Sequence, residues 1–410
     1  MMDIMAMSTD RMTNSISVSL MSSRQMRVAL VVPHIFMHRE IMPSVIFSPG
    51  VLALTLADQL TKIGVQITLF SPGPVDTLAQ NVNADLSLFE AELAGRGDTW
   101  TDLLKKHPFT FVTLARQVQA ELISKAYQMA NHDEFDAVHI YTNEEELGMV
   151  FAGLCQKPVV FTHHDPFNFL VRYKSIMPRY KHLNWLSISD AQRKTMPDDT
   201  NWLATIYHGI DEPELTPVAK PSDEYFAYLG RIIKPKGVHL AIEAVREYNK
   251  HSPKPMKLKI AGKYYGSKER DNYWSEMIEP QLDEFVEYVG FINDPLDKRD
   301  FLGNARALIV PSLFDEPFGL VTVESFACGT PVVALDSAAL SEVIDNKKTG
   351  LVISKGEKPY DEQQIIGRLA GGLKDIGDIS RSACRSGYEQ KFTAEMMAAR
   401  HKEIYQSLIR

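Results

Sequence analysis

Cysteine is scarce in this sequence, and long apolar runs are missing from it. The chain has 410 residues and three cysteines, Cys155, Cys328 and Cys384. Their spacing fits neither a disulfide framework nor a zinc site, so they are expected to be small core or helix residues in a reducing, cytoplasmic compartment. No uninterrupted apolar stretch of about 18 residues occurs, so no membrane span is predicted.

Positive charge is not in excess either. The formal net charge of −8 argues against a general nucleic-acid-binding surface, which needs a basic face. It leaves room for a bound nucleotide, because a few local cations suffice for that. The hydrophobic fraction of 45% and the charged fraction of 23% are typical of a soluble globular protein.

The length predicts two domains, since 410 residues are too many for one ordinary core. The N-terminal residues are rich in methionine and serine and lack the apolar segment of a signal peptide, so we expect a disordered leader or a start codon assigned too early. A proline-rich polar segment marks the domain boundary. The predicted parts are a leader (1–25), a first domain (26–211), a linker (212–223), a second domain (224–392) and a C-terminal helix (393–410).

Residues 306–335 carry the most informative pattern. Two apolar strands are predicted there with a helix from about 318 to 328 between them, as in a parallel sheet covered on both faces. Glu316 lies at the turn that opens the helix, and Glu324 lies about two turns further along. The free backbone amides at the helix start are expected to attract an anion. They are those of Phe318, Gly319 and Leu320.

This arrangement suits a ligand with phosphates in the middle and hydroxyl groups at both ends, such as a sugar nucleotide. A carboxylate within an apolar helix needs hydrogen-bond partners, because burial without them is costly. The alternative interpretation is structural. In it, Glu316 complements the helix dipole and Glu324 pairs with a lysine or arginine of the protein.

A second charged pattern opens the second domain. A predicted strand at 225–229 runs into Gly230, then Arg231, and five positions later Lys236 precedes Gly237. Arginine can bind a phosphate through two N–H groups, while lysine acts as a point charge. Together, the two side chains could clamp one diphosphate from two sides.

Two adjacent histidines follow a predicted strand at 158–162. His163, His164 and Asp165 stand at its carboxyl end, where sheets of this kind gather ligands. The alternatives are a histidine pair that bridges the loop to the next helix, or a metal pair. Metal is the weaker of these, because adjacent residues at a strand end point apart. No Asp-x-Asp metal motif stands out, and neither a metal nor a cofactor is predicted.

The motifs carry a resemblance to a known family. Residues 316–332, E-P-F-G-L-V-T-V-E-S-F-A-C-G-T-P-V, resemble the E-x7-E signature of family 4 glycosyltransferases, and residues 230–237 resemble its G-R-x-x-x-x-K-G pattern. The resemblance extends from Met26 to the C-terminus. It implies an α/β protein of the GT-B fold, with two doubly wound, Rossmann-like parallel-sheet domains that face a cleft and a tail helix that crosses back to the first domain. It also implies a retaining, metal-independent hexosyltransferase that uses a nucleoside-diphosphate sugar.

The resemblance assigns roles to residues of this sequence. Arg231 and Lys236 hold the donor diphosphate, Glu324 accepts from the ribose, and Glu316 accepts from the transferred sugar. The amides of Phe318, Gly319 and Leu320 lie beside that sugar. His164, with His163 as second choice, lines the reacting face. Backbone groups after Gly290 contact the base, which brings in Phe291.

The sequence departs from the family in the loop after the first strand. The usual Gly-Gly pair is reduced to Gly50, which puts its donor or acceptor contact in doubt. Acceptor contacts are expected from first-domain loops, residues 34–50 and 73–110, which match no pattern. A UDP-linked glucose donor and a small acceptor are favoured over a lipid-surface acceptor, and a glycan acceptor and the oligomeric state stay open. The competing readings are a non-catalytic nucleotide-sugar-binding protein and a nucleotide-sugar 2-epimerase.

Overall fold

Two separate β-sheets organise the chain in the computed structural model, which describes residues 25–42, 45–141, 146–264 and 272–409. The first sheet contains β1 (Arg27–Val31), β2 (Gln66–Ser71), β3 (Gln80–Asn83), β4 (Ala137–Tyr141), β5 (Val159–Thr162), β6 (Asn184–Ser187) and β7 (Trp202–Thr205). The second contains β8 (Tyr225–Leu229), β9 (Lys257–Ala261), β10 (Val286–Gly290), β11 (Ala307–Val310), β12 (Val332–Leu335) and β13 (Gly350–Ile353).

Both sheets are parallel and doubly wound. The first has the order β3-β2-β1-β4-β5-β6-β7, and the second has the order β10-β9-β8-β11-β12-β13. Every strand pair within them is parallel, from β1 with β2 to β12 with β13. The predicted α/β fold with two Rossmann-like sheets is confirmed.

Helices connect the strands and cover both faces of each sheet. In the first half they are α1 (Ser48–Lys62), α2 (Ser87–Arg96), α3 (Trp100–Lys106), α4 (Pro108–Asn131), α5 (Glu146–Phe151), α6 (Val171–Ile176) and α7 (Asp190–Arg193). In the second half they are α8 (Val238–His251), α9 (Pro295–Gly303), α10 (Leu320–Ala327), α11 (Leu340–Val343), α12 (Glu362–Asp375), α13 (Arg381–Lys391) and α14 (Ala394–Ile409). No helix among the described residues is long and apolar enough to cross a membrane.

The central strands are apolar at successive positions because side chains on both of their faces are buried. All of β4, β5, β11 and β12 is buried. In the first half, α4 packs on one face and α1 with α14 on the other. In the second half, α8 and α12 cover one face, and α9, α10 and α13 cover the other. Two-sided cover of this kind is the usual setting of parallel sheets.

The segment predicted as loop at 73–110 is largely regular structure, which corrects that expectation. It contains β3, α2 and α3. The edge strand β3 is polar and only partly buried, so it lacks the apolar pattern of a strand. The helix α3 does have a sequence signal, since Thr99 and Asp102 form a reciprocal capping box at its start. Of the predicted leader, residues 1–24 lie outside the described range.

The last helix, α14, lies against the first half of the chain. Its start is tied to the segment after β7, where Ile210 pairs with Thr393. Further along, Lys402 donates to the carbonyl oxygen of Ile63 at 2.6 Å. The buried Tyr405 hydroxyl lies 2.7 Å from Nδ1 of His139 in β4. The C-terminal helix therefore joins the second sheet's domain to the core of the first.

Replacement of Tyr405 tests how firmly α14 is held. Tyr405→Phe removes one partner of a fully buried hydrogen bond and leaves the His139 nitrogen without it. We expect the free energy of unfolding, measured by urea denaturation, to fall by about 1–3 kcal/mol. Ser407→Ala, on the exposed side of the same helix, is the matched control and should change it by less than about 0.5 kcal/mol. Equal effects of both variants would contradict this account.

Candidate active site

The two sheets face each other through the loops at the carboxyl ends of their strands. Phe169, in the loop after β5, meets Phe314, in the loop after β11, with ring centroids 5.3 Å apart. Glu342 of α11 accepts a hydrogen bond at 2.8 Å from the backbone N–H of Asp190, at the start of α7. Ligands of doubly wound sheets bind at these carboxyl ends, so a cleft lies where both sheets present them.

Lys236 and Glu316 form a close ion pair in this cleft. The Lys236 ammonium lies 2.6 Å and 2.8 Å from the two carboxylate oxygens of Glu316. The exposed fractions of the two side chains are 20% and 8%. The loop reaches this position because Gly237 has a φ of 72°, and a side chain there would collide with the carbonyl oxygen of Pro311. Two residues 80 positions apart in the sequence are thus brought into direct contact.

Arg231 lies on the same loop and is exposed. The Tyr228 hydroxyl donates to its backbone carbonyl at 2.9 Å, which holds the loop at the end of β8. Within the described part of the chain, no side chain pairs with the Arg231 guanidinium. A charged group in this state is available to an anionic ligand.

Helix α10 begins without a side-chain cap. Gly319 precedes it with a φ of 100°, and no side chain among the residues that the structure describes bonds to the first amides. Those amides and the helix dipole favour an anion at this end. The Phe318 ring is only 2% exposed and packs against Tyr207 and His208. Its backbone, rather than its ring, is therefore placed to meet a ligand.

Glu324 is paired with a lysine, as the structural interpretation of this residue anticipated. Lys298 of α9 lies 2.9 Å from Glu324 and 2.9 Å from Glu212, and all three side chains are largely buried. Burial alone would lower the pKa of Lys298, but the charges of Glu324 and Glu212 outweigh it and raise that pKa. The ion pair supplies the partner that a buried carboxylate needs.

His164 and His163 point in different directions. His164 stacks on His208 with ring centroids 5.2 Å apart and an angle of 13°, and His208 in turn meets Phe318 of the second domain at 5.0 Å. His163 packs inside the first domain, 4.8 Å from the ring of Phe167. Of the two histidines, His164 is the one connected to the domain interface.

His164 belongs to a cluster of four buried histidines. The cluster consists of His139, His164, His208 and His401. Burial lowers the pKa of His164 well below its usual value, and the neighbouring histidines lower it further. The pKa of His208 falls to about 3 and that of His401 to about 4, in each case mainly because of burial. These imidazoles are neutral at pH 7, so the cluster adds no charge to the domain interface.

Gly50 belongs to the first domain, and Phe291 lies at the edge of the second sheet. Gly50 lies in the first turn of α1, not in a loop as expected, because the helix begins at Ser48. A side-chain carbon at Gly50 would come within 2.5 Å of the Phe47 ring. Phe291 is 46% exposed and follows β10, three strands from β11, or roughly 14 Å across the sheet.

Sequence reasoning missed Lys298, Glu212 and His208 as members of this region. Lys298 and Glu212 are 86 positions apart, so no local spacing could indicate their contact. The His-Gly-Ile-Asp run around His208 was visible, but nothing in it indicated that the imidazole would stack on His164. Among the residues that the structure describes, no group of three or more potential metal ligands converges.

The neutral histidine cluster predicts a loss of stability in mild acid. The unfolded chain binds protons on these histidines below about pH 6.5, whereas the folded protein does not. Their contribution is therefore complete above about pH 6.5 and is lost as the pH falls toward the folded-state pKa, about 4 for His401. We expect urea denaturation between pH 6 and pH 5 to show a loss of about 1.4 kcal/mol per pH unit for each such histidine.

The matched variants are His401→Gln in the cluster and His182→Gln on the surface. His401 is buried and His182 is exposed. The first variant should make the pH dependence shallower, and the second should leave it unchanged. A stability that stays constant from pH 6.5 to pH 5, or equal slopes for both variants, would contradict burial of neutral histidines.

The second half of the chain matches a known protein family. Residues 215–375 match the family described as Glycosyl transferases group 1. The chain is 25% identical over 321 residues to a D-inositol 3-phosphate glycosyltransferase of an Arthrobacter species, a match that covers 70% of this chain and 74% of that protein. It is 21% identical over 325 residues to the putative glycosyltransferase YtcC of Bacillus subtilis, with 73% and 78% covered.

Solved structures share the fold. Sucrose-phosphate synthase from Thermosynechococcus elongatus superimposes with a TM-score of 0.68 at 17% identity, over 94% of this chain and 99% of that one. Anabaena HepE, in complex with UDP and glucose, superimposes with a TM-score of 0.63 at 16% identity, over 94% and 100%. The fold is GT-B, and with the family match and its relatives the chain is a glycosyltransferase.

Proposed function

We propose that this glycosyltransferase is a metal-independent, retaining enzyme of family 4 that moves a hexose, most readily glucose, from a UDP-sugar to a small acceptor in the cytoplasm. The observation that carries the proposal is the Lys236–Glu316 ion pair beside an uncapped helix start and the exposed Arg231. Cations, amides and a carboxylate lie together there, which matches a diphosphate that is joined to a hydroxyl-rich sugar.

The charges suit departure of a nucleoside diphosphate. Lys236 neutralises Glu316 in the structure, and a bound donor would share that ammonium between its diphosphate and the carboxylate. Arg231 would approach the diphosphate from the solvent side. Preorganised cations stabilise negative charge that develops on a leaving group. In this proposal they do so without a metal ion.

In this proposal Glu316 and Glu324 bind different parts of the donor. Glu316, freed in part from Lys236, accepts hydrogen bonds from hydroxyls of the transferred sugar. Glu324 accepts from the ribose while it keeps the positively charged Lys298 as its partner, so ribose binding would not leave an unpaired carboxylate buried. His164, neutral and next to the interface, hydrogen-bonds to the sugar at the reacting face. No residue is assigned as a covalent nucleophile, and retention is drawn from the family resemblance.

The choice of UDP and glucose rests on similarity to other proteins. HepE has been solved with UDP, with UDP-glucose, and with UDP and glucose. The relatives named for inositol 3-phosphate and sucrose phosphate favour a small polyhydroxy acceptor. The glycosyltransferase relatives disfavour the two other readings, a non-catalytic binder and a 2-epimerase. The three cysteines, all free, support a reducing compartment.

Two substitutions separate the proposed roles of the ion pair. Lys236→Ala should weaken UDP binding by about 10-fold or more, because a charge-assisted contact to the diphosphate is lost. Glu316→Ala should lower kcat by about 100-fold and change the UDP dissociation constant by less than about threefold, because Glu316 contacts the sugar and releases Lys236. Calorimetric titration with UDP and steady-state kinetics measure these effects, with circular dichroism to verify folding. Small and equal effects from both changes would remove this assignment.

A donor screen tests the activity itself. The purified protein is mixed with UDP-glucose, GDP-mannose, ADP-glucose or UDP-N-acetylglucosamine, without acceptor, and thermal stability and diphosphate release are recorded. We expect UDP-glucose to stabilise the fold and to be slowly hydrolysed, with no change on addition of EDTA. Inhibition by EDTA would refute metal independence. Absence of stabilisation by every nucleotide would refute the donor site.

A further inference from the structure

The connection between the two domains is fastened to both of them by two adjacent acids. Asp211 faces the first domain, where its carboxylate accepts a hydrogen bond from the side-chain amide of Gln59 in α1 at 2.5 Å and lies 3.4 Å from the Lys62 ammonium. Glu212 faces the second domain, where its carboxylate oxygens lie 2.9 Å and 3.1 Å from the Lys298 ammonium in α9. The position of Glu212 is therefore set by Lys298.

Lys298 divides its hydrogen bonds between two carboxylates. Besides Glu212, its ammonium contacts one carboxylate oxygen of Glu324 in α10 at 2.9 Å. An ammonium group has three N–H donors, and here its contacts all go to these two acids. The exposed fractions are 16% for Lys298, 24% for Glu212 and 14% for Glu324. Little water is therefore available to replace a contact that is lost.

The two carboxylates compete for this single ammonium. Burial raises the pKa of Glu212, and the nearby negative charge of Glu324 raises it further. Burial by itself lowers the pKa of Lys298, but the charges of both acids outweigh it and raise that pKa. Because opposite charges attract more strongly away from water, a group that satisfies one of the acids lets Lys298 bind the other more closely.

Glu324 has one oxygen left for a ligand. Lys298 binds its Oε1, and among the residues that the structure describes no donor bonds to its Oε2. Glu316 differs, because Lys236 contacts both of its carboxylate oxygens. The proposed function places the ribose hydroxyls on Glu324, and Oε2 is the atom that remains to accept from them.

Two of the three members of this cluster are held rigidly in the second domain. Lys298 lies in α9 and Glu324 lies in α10, and the two helices share one apolar core, to which they contribute Phe301 and Phe326. Glu212 lies on the connection instead, outside any helix or strand. A movement of the Lys298 ammonium toward Glu212 therefore acts on the connection between the domains.

We propose that Lys298 is a positioning residue that couples the binding of the nucleotide ribose at Glu324 to the docking of the interdomain connection at Glu212. The inference rests on the proposed function and adds to it a route from the donor site to the domain junction. Ribose hydroxyls that donate to Glu324 offset part of its negative charge, and Lys298 then binds Glu212 more closely. Coupling between two equilibria is reciprocal, so a docked connection in turn raises the affinity for the nucleotide.

The first test is calorimetric titration of the full chain with UDP and with a dideoxy analogue of UDP that lacks both ribose hydroxyls. We expect the wild type to bind UDP about 10-fold or more tightly than the analogue. Glu212→Gln keeps the ion pair of Lys298 with Glu324 and removes the competing charge. Because the coupling is lost, this variant should weaken the binding of UDP by about fivefold or more and that of the analogue by less than about twofold. A merely structural role of Glu212 would change both affinities equally.

Hydrogen exchange, followed by mass spectrometry, reports on the connection itself. The Ile210 N–H donates to the carbonyl oxygen of Phe392 at 3.1 Å, and the Leu215 N–H donates to the carbonyl oxygen of Glu212 at 2.9 Å. Because of reciprocity, UDP should slow exchange in residues 209–216 of the wild type by the factor of the coupling, about fivefold or more. The dideoxy analogue should not slow it, and neither should UDP in Glu212→Gln.

Two further variants separate the coupling from general charge and from other routes. Glu214→Gln removes a charge two positions further along the connection, where Glu214 is exposed, and should change neither the affinities nor the exchange. Lys298→Met removes the proposed route, so the addition of Glu212→Gln to it should have no further effect on UDP affinity. Circular dichroism verifies that each variant is folded. If Lys298→Met does not fold, the comparison of UDP with its analogue in Glu212→Gln still decides the inference.

The inference is overturned if Glu212→Gln leaves UDP affinity unchanged, or if it weakens the binding of UDP and of the dideoxy analogue equally. It is also overturned if Glu214→Gln acts as Glu212→Gln does, or if Glu212→Gln has the same effect with and without Lys298. A wild type that binds UDP no better than the analogue would overturn the ribose contact of the proposed function, and the inference with it. Failure of the wild type to bind UDP at all would overturn the whole donor site.

Discussion

A buried carboxylate requires a cation, and in this protein that requirement shapes the centre of the cleft. Glu316 is 6% exposed, and without Lys236 its charge would carry a large desolvation cost. The lysine can reach it only because Gly237 turns the loop tightly over the end of β11. In the proposed function, the ammonium of this pair also contacts the diphosphate and the carboxylate also contacts a sugar hydroxyl.

The fold could be read from the sequence because its strands are buried on both faces, and continuous apolar runs such as 307–310 and 137–141 mark them clearly. The strand β3 and the helix α2 were missed because they carry little apolar periodicity, and α3 was missed although its Thr99–Asp102 capping box is visible in the sequence. In the site, the meeting of Lys236 with Glu316 is consistent with the family resemblance. The sequence indicated that Glu324 could pair with a lysine or arginine, but it did not identify Lys298. That residue is 26 positions away and lies on another helix.

Each of the two domains holds a buried carboxylate next to cationic side chains. In the second domain a cation is bound closely by one carboxylate, and an exposed arginine stands beside it. In the first domain Arg172 and Arg116 lie 3.3 Å and 3.9 Å from the carboxylate oxygens of Glu146. The neutral imidazole of His164 belongs to a cluster in which every histidine is buried.

The chain crosses between its two domains twice, and the crossings run side by side where Ile210 pairs with Thr393. Gly209 permits this contact, because a side chain there would strike the backbone of Thr393. A single flexible tether would let the domains twist and slide in any direction. Two adjacent crossings resist torsion between the domains more strongly than one crossing does. The close pairing of the two crossings therefore restricts how the domains can turn relative to each other.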